Sequence, residues 1–171
     1  MPVKAYSRYK RHIELAYVED WLYTFHRDKI TMTNVPIGPD VKIEDGKIVY
    51  TAEEGLKSTR RPRCDAVVIT QGEIWIVEAA VLPHRYTKAL GDLLMYKGIA
   101  HLTPEFREYM PRSIRFKLLT PLKHPKVWEE CLRNDIENIV WMPPITAEYL
   151  RSLLPYLRSI PPVYSSELLQ A

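Results

Sequence analysis

Apolar side chains recur at helical spacing through residues 7–26, where Ile13, Tyr17, Trp21 and Phe25 have Val18 and Leu22 beside them. That spacing predicts a first helix. Residues 29–59 mix short apolar runs with Pro36, Gly38, Pro39, Gly46 and Gly55, which predicts extended chain and turns with one strand over 47–51. Residues 65–70 and 73–79 are β-branched runs separated by Gln71-Gly72, the pattern of a tight antiparallel hairpin inside a core. The period then turns helical over 86–101, with Ala89, Leu90, Leu93 and Leu94 as the buried face. A strand over 115–120, a short helix over 126–133, a strand over 139–142 and a helix over 147–158 complete the series. Strands that follow a helical crossover run parallel, whereas a hairpin is antiparallel. The expected fold class is therefore α/β, a mixed central sheet flanked by helices on both faces. The expected organisation is one domain over residues 1–158, with a tail over 159–171 that is docked or flexible.

Composition narrows the picture modestly. A chain of 171 residues with 46% apolar side chains can bury one sizeable core, and a formal charge of +3 permits a polyanionic partner without requiring one. Two distant cysteines, Cys64 and Cys131, match no zinc spacing and read as reduced thiols. No apolar run approaches the roughly 18 residues of a spanning helix, so a cytoplasmic protein without a membrane partner is expected. Fourteen prolines with only three asparagines and two glutamines resemble the composition of thermophile proteins.

Chemistry concentrates near the hairpin. Side chains alternate along a strand, so Arg61, Arg63 and Asp65 point one way if this stretch is extended, while Ile74, Ile76, Glu78 and Ala80 share a face of the next strand. Asp65 and Glu78 are expected to meet. A carboxylate inside an apolar run is costly to bury unless it binds something positive. A hard cation such as Mg²⁺ takes one or two carboxylates plus waters and phosphate oxygens, which this pair could supply. At about 100° per residue, Glu14 falls inside the apolar arc of the first helix, between Trp21 and Phe25. It is either a further site acid or a residue at the arc's mouth that snorkels or pairs with an arginine.

Arg61-Pro62-Arg63-Cys64-Asp65, a hairpin, Ile76-Val77-Glu78-Ala79-Ala80 and a helix carrying Gly91, Asp92 and Tyr96 together resemble the core of the PD-(D/E)XK nucleases, over roughly residues 10–142. The resemblance implies a restriction-endonuclease-like core of order α-β-β-β-α-β-α-β. It implies Asp65 and Glu78 as catalytic acids holding Mg²⁺ or Mn²⁺, the Ala79 carbonyl as a further ligand, and Glu14 as a third acid. The family's lysine is replaced by Ala80, whose methyl can neither donate a proton nor steady negative charge. A lysine moved to a neighbouring element, a natural loss of catalysis and a deliberate replacement all remain open. Lys88 is the best-placed substitute, because Lys88, Asp92 and Tyr96 lie at i, i+4 and i+8; its plainer role is a surface pair with Asp92. Asp92-x-x-x-Tyr96 looks like a variant of the Gln-x-x-x-Tyr that faces nucleic acid in helicase-associated exonucleases. Tyr96 is thus a candidate contact or a half-buried packing residue.

Arg60, Arg61 and Arg63 precede Asp65, and His84 and Arg85 follow Glu78, bracketing the acids with positive charge. Guanidinium groups suit phosphates, while the alternative is pairing with Glu53, Glu54 or the site acids. His12, His26, His101 and His124 have no metal spacing and receive no role. The expected function is metal-dependent phosphodiester hydrolysis of nucleic acid, DNA ahead of RNA, with a homodimer or a replication or repair assembly compatible with it. The alternative is an inactive nuclease-fold protein that binds nucleic acid or serves as a structural or interaction subunit.

Overall fold

The computed structural model describes residues 12–45, 47–51 and 61–154. In chain order these form α1 (Ile13–His26), β1 (Ile30–Pro36), β2 (Asp40–Glu44), β3 (Lys47–Thr51), β4 (Arg63–Ile69), β5 (Glu73–Ala79) and α2 (Tyr86–Ile99). They are followed by β6 (Ser113–Thr120), α3 (Pro125–Arg133), β7 (Ile136–Val140) and α4 (Pro144–Leu153). Five strands make one sheet in the order β1-β4-β5-β6-β7, while β2 and β3 pair separately.

The sheet is mixed, as the connections require. β1 with β4 and β4 with β5 are antiparallel, and β5 with β6 and β6 with β7, each joined through a helix, are parallel. The β-branched runs of β4 and β5 occupy inner positions, where Ile74, Ile76, Val67, Val68 and Val77 are fully buried. Each such side chain contributes about 1.5–3 kcal/mol by leaving water. Trp75 packs edge-on against His26 of α1, while Glu78 meets Tyr96 of α2. Residues 75 and 78 alternate across the strand, so the two helices cover opposite faces. Tyr17 ties α1 to the end of β7 by donating its hydroxyl hydrogen to the Trp141 carbonyl.

Several sequence expectations are corrected. The stretch expected to hold one strand contains three, β1, β2 and β3. β1 has a single buried position and Asn34 in the left-handed region, so no alternating pattern announces it. Gly38, at φ +92°, connects β1 to β2, and a Cβ there would lie 2.9 Å from Ile99. β7 starts at Ile136 instead of 139, and α4 at Pro144 instead of 147. Phe25, placed on the buried face of the first helix, is 49% exposed because it packs on Trp141 beyond the sheet. Residues 7–11 of that helix, residues 155–158 of the last helix, and the tail over 159–171 lie outside the described residues. Cys64 and Cys131 are buried free thiols. No helix among the described residues is long and apolar enough to cross a membrane.

Candidate functional site

Asp65 and Glu78 meet because of strand register. β4 and β5 pair Ala66 with Val77, and one further step sets Asp65 across from Glu78. The ladder stops just before that rung, and on the other side of β4 the rung holding left-handed Asn34 is also skipped. Ala80 directs its N–H to the Leu119 carbonyl of β6, so Ala79 directs its own N–H toward β4. There the Asp65 carboxylate accepts it at 2.8 Å. A side chain thus occupies the place of a backbone acceptor, which fixes Asp65 against the end of β5.

The two acids sit in an open hollow whose wall also includes Glu14, Ala79, Ala80 and Asp92. Three cations, Arg63, Arg85 and Lys88, share the wall with the four carboxyls. Glu14 reaches it from the first turn of α1 and pairs with Arg85 at 3.3 Å. Lys88 pairs with Asp92 at 2.7 Å, one turn along α2. Arg63 donates to the Asn34 carbonyl at 2.8 Å.

Burial dominates the electrostatics of the acid pair. Glu78 is raised to about 9 by burial, then by the Asp65 charge and the hydrogen bond between the two carboxyls. Asp65 is also raised by burial, but less freely, because the Ala79 N–H and the Glu78 carboxyl both favour its ionised form. Glu14 is raised by burial against the opposing pull of Arg85. Without a cation, Glu78 holds the proton at neutral pH while Asp65 accepts hydrogen bonds, an asymmetric pair of the kind that like charges in close contact produce.

The hollow collects most of the expected site residues. Asp65, Glu78, Glu14, Ala79, Lys88, Arg63 and Arg85 all line it, and Ala80 does too. Arg60 lies outside the described residues. Arg61 is a correction: it is 6% exposed and turned away, clamped by Glu105 at 2.7 Å and Asp40 at 3.2 Å. That ion pair anchors the chain around the β2–β3 hairpin, so Arg61 offers nothing to a phosphate. Tyr96 is a second correction, being 2% exposed and beneath the acids, not on a nucleic-acid surface. Its hydroxyl lies 3.0 Å from both Glu78 Oε1 and the Arg63 carbonyl oxygen. His84 is exposed and stands close enough to lower Glu14 slightly without lining the hollow.

Sequence reasoning named Asp92 as a partner of Lys88 and as the first residue of Asp92-x-x-x-Tyr96, but not as a site acid, although it is itself part of the wall. The signal was present in the Lys88, Asp92, Tyr96 stripe, which runs from the wall of the hollow to the buried Tyr96 against Glu78. Among the described residues, no group of three or more His, Cys, Asp or Glu side chains is arranged to hold a metal ion. The donor set that does converge is two carboxyls with the Ala79 backbone in the same wall. A divalent oxygen-seeking ion that keeps several of its waters suits such a set, whereas a zinc-like enclosed cage does not. No protein-family model matches the chain, and comparison with curated proteins yields no match.

Proposed function

We propose that this chain is a nuclease of the PD-(D/E)XK type that hydrolyses DNA phosphodiesters with a divalent cation held by Asp65 and Glu78. One observation carries the reading: two carboxyls from adjacent strands share a hollow rimmed by Arg63, Arg85 and Lys88. The element order supports it: α1, an antiparallel run of β1, β4 and β5 interrupted by the separate β2–β3 hairpin, then α2 and the parallel β6 resemble the expected series. The cation would polarise the phosphate and lower the pKa of an attacking water. Arg63 and Arg85 would hold phosphate oxygens, and Lys88, restrained by Asp92, would supply the positive charge that Ala80 lacks. Magnesium- or manganese-dependent cleavage of DNA should disappear in Asp65→Ala. Equal residual cleavage in that variant would trace the activity to a contaminant and end the claim.

Ala80 itself favours a second reading, in which the same hollow and arginines hold nucleic acid without cutting it. This reading predicts metal-independent, salt-sensitive binding. A protein with no nucleic-acid affinity at low salt would refute both readings.

A further inference from the structure

We propose that Tyr96 is a positioning residue for the acid pair, holding the Glu78 carboxylate in the orientation that grips a cation; this rests on the cation site proposed above. Four observations converge on it. The hydroxyl is 3.0 Å from Glu78 Oε1, so it touches one of the two oxygens that would bind. It is also 3.0 Å from the Arg63 carbonyl, at the start of the strand that carries Asp65. Tyr96 therefore bridges β4 to the acid of β5: its one hydrogen can go to the Arg63 carbonyl while Glu78 is protonated, and to Glu78 Oε1 when that carboxyl ionises to bind a cation. It is 2% exposed, which leaves its ring and hydroxyl no route to a nucleic acid.

The fourth observation is the helix stripe that carries it. Lys88 is 69% exposed at the mouth, Asp92 lies deeper at 30%, and Tyr96 is buried behind the wall, against Glu78. A long, flexible glutamate side chain otherwise keeps several rotamers, and a hydrogen bond from a rigid, buried ring removes most of that freedom. Groups one step behind a metal ligand typically control affinity by about 10- to 100-fold through such orientation. Asp65 is held from the other side by the Ala79 N–H, so the two carboxyls are braced independently.

The test is Mn²⁺ titration by calorimetry on the full chain. Tyr96→Phe, folded by its melting profile, should bind Mn²⁺ about tenfold or more weakly than wild type. Tyr86→Phe is the matched control, because it deletes a buried hydroxyl on the same helix that receives the Leu122 N–H at 3.3 Å. It should keep wild-type affinity. In a Glu78→Asp background, where the carboxylate is one methylene short of the hydroxyl, Tyr96→Phe should cost less than about twofold. Equal affinity in Tyr96→Phe and wild type overturns the positioning role and leaves the cation site standing, as does an undiminished tenfold loss in the Glu78→Asp background. A wild-type protein that binds no Mn²⁺ overturns both.

Discussion

The Asp65 carboxylate accepts the backbone N–H of Ala79 at 2.8 Å, one residue beyond the Glu78 that it faces across two antiparallel strands. This contact joins the ends of β4 and β5 where their ladder stops. It also brings two acids together under conditions that burial makes unfavourable for both, and several consequences can be measured.

The first concerns pH. Glu78 titrates at about 9 in the folded chain against 4.5 when unfolded. A raised folded pKa stabilises fully below the unfolded value and is lost as pH rises toward the folded value. The metal-free protein should therefore lose stability between about pH 4.5 and 9. Glu78→Gln should flatten that slope and melt higher than wild type at pH 8, in chelator. A wild-type melting temperature that rises through this range would contradict the assignment.

Arg61→Met should be destabilising by about 3 kcal/mol, because it strands Glu105 and the largely buried Asp40 without their cation. In a domain of this size that is about 6–12 °C in Tm. Its Mn²⁺ affinity should match wild type, since Arg61 does not line the hollow. Thermal melting and the same titration read both quantities.

Lys88→Met tests the substitute lysine. The Lys88–Asp92 pair is mostly exposed and worth about 1 kcal/mol or less, so folding should change little. Single-turnover DNA cleavage should fall by about 100-fold or more if Lys88 steadies the reacting phosphate. Ala80→Lys, which projects a second ammonium group into the same hollow, should raise the wild-type rate and restore part of that loss.

Arg63→Ala and Arg85→Ala should each weaken DNA binding uniformly across sequences. Each should also reduce the slope of log affinity against log salt by about one, the signature of one lost phosphate contact. Unchanged slopes would mean that these arginines serve only Asn34 and Glu14, their partners in the free protein.

Much of the framework was legible from hydrophobic pattern alone. Residues 65–79 combine β-branched runs with a two-residue turn, and Ala66 to Ile69 of β4 and Ile76 to Ala79 of β5 are buried without a break, as strands covered on both faces are. Glu14 was legible as an acid on an apolar helix face, and its partial burial beside Arg85 accounts for the anomaly. β1 was hidden because an edge strand with one buried residue shows no alternation. The fates of Arg61 and Tyr96 were hidden for another reason. Each is decided by a partner far along the chain, Glu105 for the arginine and Glu78 for the tyrosine, and residue type gives no sign of that distance. Arg61 was offered as a phosphate contact from its place beside Asp65, and Tyr96 as a nucleic-acid contact or a half-buried packing residue; both are buried.

The central claim is that Asp65 and Glu78 bind one cation together, and calorimetric titration of metal-free protein with Mn²⁺ tests it most directly. We expect saturable binding in the wild type that is abolished in both Asp65→Asn and Glu78→Gln, each of which keeps the side chain's shape and cannot become a carboxylate. Binding that persists unchanged in both variants, or its absence from the wild type, would contradict the account.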